Sequence, residues 1–532
     1  TYHGMTQDCL AAELLPNYTT IEYTINDQPT YPPIFLFIVD TCLADKEHQA
    51  LKTLILQSIG TLPPTSLVGF ISFGKLVYIH ELKFSECPRN FVFNGVKTYD
   101  VLKLKQCLSL TQPTKDGANN FILPISEAEQ MLNSIIDTLE VDPFVVEKGN
   151  RFERCTGAAI DIGITLLEAI FPQSNSQIFI FTGGPITRGP GAMASIKRTD
   201  LVRQHTEISN GKAELTPSSK EFFNEVGDKA SRNNIVVNYI SASFEETGLY
   251  ELNSVVYKTG GFLLSNETFT EENISKTLIK YFKGGIFLNS GSNATMAYNA
   301  SSHLKMAGCV GPCSSLNVSN SLVSTNATNL IGVDKTVQWK ICGLFPTTTF
   351  AFFFDILNSK TEPIQSNEVC YVQFTTKYRH ISTGTVRLRV TTSEVRFADL
   401  DTQKDLLIRG FDQEAAAILI SKQSMWKIQN HSLGEVVNEI DRRLINFCKT
   451  FGNYRPKDAS SFLLPPSAQF LPQFLYHFRR SPFLSVFNSS PDQTTSLRHA
   501  LLTEDVTNSL FMVQPTLMCY SLTNPPTPVI LD

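Results

Sequence analysis

The segment "IFLFIVD", residues 34–40, constrains the fold more than any other, because six apolar side chains run without a break into one aspartate. A strand with one wet face alternates polar and apolar residues, so an unbroken run implies cover on both faces, as in the centre of a parallel sheet. From Glu47 onward Leu51, Leu54, Ile55, Ile59 and Leu62 recur at helical spacing until Pro63-Pro64 stops them. That β-α step recurs. The stretch 67–82 reads as two adjacent strands meeting near Gly74, and "GAAIDIGITLLEAIF" (157–171) is a helix feeding the strand "SQIFIFTGG" (176–184). Residues 233–243 supply another central strand, and Leu278, Ile279, Tyr281 and Phe282 mark a closing helix. The alternation predicts a doubly wound sheet.

After Gly285 the period changes from helical to alternating. Val337, Trp339 and Ile341 share one face of "TVQWKICGL", and residues 371–390 form a hairpin around "STG" with Val386, Leu388 and Val390 inward. An antiparallel sandwich follows from this. From about Asp399 helices return: Ser432 and Glu435 have capping-box spacing ahead of a stripe of Val436, Val437, Ile440, Leu444 and Ile445. The predicted order is therefore α/β, all-β, all-α.

At 532 residues the chain exceeds one hydrophobic core, and no apolar run reaches the roughly 18 residues that span a bilayer. The net charge of −5 names no partner: any anionic one, lipid or nucleic acid, must be met by a local basic face, and no nucleic-acid partner is expected. Nine Asn-x-Ser/Thr sequons, such as Asn266 and Asn488, suit a secreted glycoprotein. Eleven cysteines, an odd number with Cys42, Cys342, Cys370 and Cys448 inside apolar patterns, suit a reducing cytosol instead, and the cytosol is the expectation.

Asp40 stands where a strand turns into a helix, and with the hairpin "VGFISFG" and the strand ending in a glycine pair it resembles a von Willebrand A-like domain. Members that bind Mg²⁺ read D-x-S-x-S in this loop, add a threonine from a second loop, and end the later strand T-D-G, giving a hard cation its oxygens. Here the loop reads Asp40-Thr41-Cys42-Leu43-Ala44 and the later strand ends Thr182-Gly183-Gly184. Only Asp40 and Thr156 are left, so the site reads as vestigial, with Asp40 an N-cap or turn former.

"TGGPITRGPG" (182–191) lacks the lysine of a phosphate loop, and Pro185 and Pro190 offer no N–H, so a rigid surface loop is expected. Cys309 and Cys313 have zinc-like spacing without a second pair nearby and read as buried thiols. No nucleophile elbow or H-E-x-x-H appears, so no catalytic residue is assigned. Arg387 and Arg389 alternate against the inward valines and leucine, which sets two cations side by side on the outer hairpin face, candidates for anionic lipid headgroups.

The strings "AELLPNYTTIEY" (12–23), "PPIFLFIVDTC" (32–42), "LPPTSLVGFISFG" (62–74), "GGPITRGPG" (183–191), "GPCSSLN" (311–317), "QWKICGLFPTTT" (338–349), "FDQEAAAIL" (411–419) and "FRRSPFLSVFNSSPD" (478–492) resemble the GTPase-activating subunit of the inner COPII vesicle coat, the Sec twenty-three family. The resemblance implies a von Willebrand A-like trunk over 12–285, a β-sandwich over 286–397 and a helical domain over 398–510. It implies a cytosolic protein, peripheral on the endoplasmic reticulum membrane and COPII vesicles. Its implied partners are a GTP-loaded Sar-type small GTPase, the cargo-adaptor subunit, the outer coat and an anionic membrane surface in ER-to-Golgi transport. Gly183, Gly184, Pro185, Gly189, Pro190 and Gly191 become candidates for recognition surface.

Two departures bear on cofactor and activity. The family's four-cysteine zinc finger precedes "AELLP", where only Cys9 stands, so residues 1–11 read as its remnant; zinc is expected in a full-length member and no cofactor in this chain. Residues 511–532 read as the lead-in to a gelsolin-like domain carrying an arginine finger, a group worth about 10³–10⁵ in kcat. That role is transferred to no arginine here, so the chain is expected to bind the GTPase and stimulate it poorly. The competing expectation is a secreted von Willebrand A-type adhesion module.

Overall fold

A computed structural model describes residues 15, 17–25, 32–83, 86–110, 119–283, 287, 289–358, 363–515, 517–519 and 529–531. The expectations placed on residues 1–11, including Cys9, lie outside them, as does half of the 511–532 segment.

The apolar run becomes the strand Ile34–Asp40, buried at every residue and paired in parallel with Leu67–Phe73 on one side and Ser176–Thr182 on the other. Outward from these, Ile235–Ala242 and Leu263–Asn266 continue the parallel half, while Leu76–Glu81 and Arg89–Asn94 add an antiparallel edge. Alternate side chains of the central strand enter two separate cores. Ile34, Leu36 and Ile38 pack against the helix Thr156–Ile170, and Phe35, Phe37 and Val39 against Asp45–Ile59 and Glu272–Lys283. Burial on both faces is why the sequence shows no alternation there.

The second unit is a six-stranded antiparallel sheet facing the pair Leu304–Val310 and Ala351–Ile356, around the fully buried Trp339, Tyr298 and Ile341. Its edge strand is Thr20–Ile25, paired along Val386–Arg396. Residues 20–25 were grouped with the α/β unit in the sequence reading; their six-residue register on the hairpin places them in the sandwich instead.

Helices from Lys404 to Val513 make the third unit. Ser432 and Glu435 form the expected reciprocal cap on Leu433–Phe451. The stripe behind them buries Val436 and Ile440, but Ile445 is 52% exposed, because 3.6-residue turns carry it off the narrow seam. Asp492, in the first turn of Pro491–Thr503, ties this unit to the trunk: it accepts hydrogen bonds from the backbone N–H groups of Thr247, Gly248 and Tyr250 and from the Arg203 guanidinium.

Candidate functional site

The carboxyl edge of an open parallel sheet is where such folds hold ligands, and Asp40 ends the central strand there, fully buried. Its Oδ1 accepts the Cys42 N–H at 2.7 Å, a turn of two residues. Its Oδ2 accepts Arg154 Nε at 2.6 Å, the Gly183 N–H at 2.8 Å and Thr182 Oγ1 at 3.3 Å. Asp40 is thus a turn former, as read; it is not the helix N-cap, which is Ala44 with no side-chain bond.

Arg154 carries no local mark in the sequence, yet it organises the site. Its Nη2 donates to the Cys42 carbonyl at 2.5 Å and Nη1 to the Pro185 carbonyl at 3.3 Å, with the side chain only 3% exposed. A carboxylate and two carbonyls around one centre of positive charge are the contacts a divalent cation would seek, and here a fixed guanidinium takes them. Burial works against that charge, but Asp40 beside it more than compensates and holds the Arg154 pKa above its ordinary value. Burial, then the negative charge of Asp40, push the Cys42 thiol well up, so it stays neutral and is no anionic ligand. Mg²⁺ does not fit: a second positive charge would face the guanidinium at contact range. Thr156 opens the helix Thr156–Ile170, fully buried, with its hydroxyl unpartnered. Among the described residues no group of three or more His, Cys, Asp or Glu side chains could hold a metal. Cys309 and Cys313 are buried free thiols, 4.0 Å apart at sulfur.

The loop 183–191 wraps this arginine. The N–H groups of Thr187 and Arg188 both donate to the Arg154 carbonyl, and a Cβ on Gly184 would stand 2.6 Å from Arg154 Nη1. Gly189 and Gly191 have φ of 75° and 77°, the left-handed region that favours glycine. Gly184, Pro185 and Gly191 are buried, whereas Gly183, Gly189 and Pro190 are half-buried. This corrects the expectation of a surface loop: half of the six candidates point inward because the loop closes over Arg154.

On the sandwich, Arg387 and Arg389 do lie side by side, but they are not free cations. Glu22, on the edge strand opposite, bonds Arg387 Nη1 at 3.0 Å and Arg389 Nη2 at 2.8 Å and accepts the Tyr378 hydroxyl at 2.7 Å. Burial opposes the Glu22 charge; the Tyr378 and arginine contacts prevail and hold its pKa below the usual carboxylate value. The trio carries one net positive charge where the sequence reading counted two.

Comparison with known proteins agrees with this three-unit order. The family model described as the Sec23/Sec24 trunk domain matches residues 30–284, the Sec23/Sec24 beta-sandwich domain residues 291–398, and the Sec23/Sec24 helical domain residues 412–511. A von Willebrand A-like trunk, an antiparallel sandwich and a helical domain are thus the fold class observed, and the chain belongs to the Sec23/Sec24 family. Among solved structures, the human COPII-coat protein Sec24c superposes with a TM-score of 0.68 at 17% identity, over 96% of this chain and 63% of that one, so this chain spans less than two thirds of its length. A von Willebrand factor type A protein from Catenulispora acidiphila matches at a TM-score of 0.42 and 9% identity, covering 92% of this chain and 93% of its own.

Proposed function

We propose that this chain is an inner-layer COPII coat subunit of the GTPase-activating branch, working by protein contact rather than by an active site of its own. The observation that carries the reading is the match of three family domains in order, joined to motif strings such as "GGPITRGPG" and "FRRSPFLSVFNSSPD" that run the length of the chain. On this reading the trunk pairs with the cargo adaptor. The chain binds a GTP-loaded Sar-type GTPase, rests on the anionic face of the endoplasmic reticulum, and recruits the outer coat. Zinc would belong to a four-cysteine motif that these residues lack.

One feature of the molecule supports contact over catalysis: the sheet edge that could hold an ion is closed by Arg154. No helix among the described residues is long and apolar enough to cross a membrane. The adhesion alternative loses its mechanism at the same place, since an ion-dependent module needs the position the guanidinium fills.

The test is retention of this chain on immobilised Sar-type GTPase loaded with a non-hydrolysable GTP analogue, and separately on the adaptor subunit. Binding to both, with preference for the GTP form, is expected. Failure on both overturns the proposal.

A further inference from the structure

A cleft of about 650 Å³ opens where the trunk, the sandwich and the helical unit meet. Its charges do not cancel. Lys258 is paired with Asp228 at 2.7 Å, and Glu251 with Arg203 at 2.7 Å. Lys220 and Arg498, which also line it, have no carboxylate within ion-pairing distance among the described residues. Lys220 Nζ sits 4.4 Å above the Tyr250 ring. Arg498 spends Nε on the Phe483 carbonyl at 2.9 Å and keeps its outer nitrogens for other acceptors. A half-buried guanidinium without a counter-charge is costly, and burial does lower the Arg498 pKa against the opposing effect of Tyr250.

The remaining walls say what kind of anion fits. Trp426 and Met425 add apolar and aromatic wall, and the side-chain amides of Asn430 and Asn253 also line the cleft, the Asn253 Oδ1 being bonded to His499 Nδ1 at 2.8 Å. Side-chain amides donate and accept at once, as a peptide backbone requires. An inorganic anion would use the cations and leave the aromatic wall idle.

We propose that this cleft binds an extended peptide segment whose acidic side chain is taken by Lys220 and Arg498 while a neighbouring apolar side chain lies on Trp426. The site is independent of the coat reading, since it involves neither the Asp40 edge nor the hairpin basics.

The test starts from the whole chain and a random heptapeptide display library, selected against wild type, Lys220→Gln and Arg498→Gln. Enriched peptides are expected to share an Asp or Glu at a fixed distance from an apolar residue, and each substitution should abolish that enrichment. The tightest peptide is then titrated by fluorescence. The chain has two tryptophans, of which Trp339 is fully buried, so a saturable change reports Trp426. Glu→Gln in the peptide should weaken binding about tenfold, the scale of a lost charge-assisted bond, and acetate alone should give no saturable change. Among the described residues the Lys220 side chain has no hydrogen bond and only its contact with the Tyr250 ring, so Lys220→Gln keeps the test sound if Arg498→Gln misfolds. No acidic enrichment, enrichment indifferent to both substitutions, or acetate binding as well as the peptide would overturn the proposal.

Discussion

Arg154 and Arg203 are buried alike, each side chain 3% exposed, yet Arg154 faces one carboxylate and Arg203 faces three. Around Arg154 charge is balanced one to one, and the spare N–H groups go to carbonyls of two loops of the trunk. Around Arg203 the acids outnumber the cation, and they come from two units: Glu246 and Glu251 from the trunk and Asp492 from the helical domain. The first arrangement closes a site within one domain, and the second joins two domains. The excess acid also separates them in pH. Burial first, then the neighbouring charges of Asp492 and Glu251, push Glu246 up to about 7 in spite of Arg203.

The largest effect is expected from Arg203→Met, which strands three carboxylates. Losing one partner of a buried pair costs about 3–5 kcal/mol, and this variant should reach the upper end, with the helical unit melting before the trunk in calorimetry. A single undisturbed transition would show that the junction does not depend on Arg203.

Arg154→Met leaves only Asp40 uncompensated and should fall near the lower end of the same range, about 3 kcal/mol by urea unfolding. Adding Asp40→Asn should recover part of the loss, because the buried charge goes with it; a coupling of about 1–3 kcal/mol is expected. Strict additivity would mean the two groups do not act on each other.

The next effect sharpens the contrast in pH. An acid whose folded pKa is raised binds a proton in the folded chain where the unfolded chain has lost it, so its stabilisation is full below about 4.5 and is lost as pH rises through about 7. Stability should therefore decline over that window, and Glu246→Gln should flatten the decline. An unchanged slope in the variant would assign the titration to another group.

The smallest effect on stability is expected at the hairpin. Glu22→Gln removes part-exposed surface ion pairs worth about 1 kcal/mol or less, but it restores the second positive charge of the trio. Affinity for anionic vesicles should rise about fivefold, since a basic side chain near such a surface contributes about 1 kcal/mol. No change in vesicle binding would place this hairpin away from the membrane.

What the sequence revealed followed from local chemistry. The central strand announced itself by a run of apolar residues, the hairpin by alternation, and one helix start by Ser432 and Glu435. What it concealed were partnerships across the chain: Arg154 meets Asp40 from 114 positions away, and Glu22 meets Arg387 from 365. Neither arginine carries a local mark of its partner. Spacing around Asp40 points only as far as a missing ion; the guanidinium in its place is brought there when the loops fold together.

The claim that a guanidinium stands in for the cation is tested most directly by thermal unfolding of the whole chain in EDTA and in millimolar Mg²⁺, with Asp40→Asn run alongside. The same midpoint is expected in both solutions for the wild type, and a lowered midpoint, again insensitive to Mg²⁺, for Asp40→Asn. A wild-type midpoint that climbs with Mg²⁺ and loses that response in Asp40→Asn would contradict it.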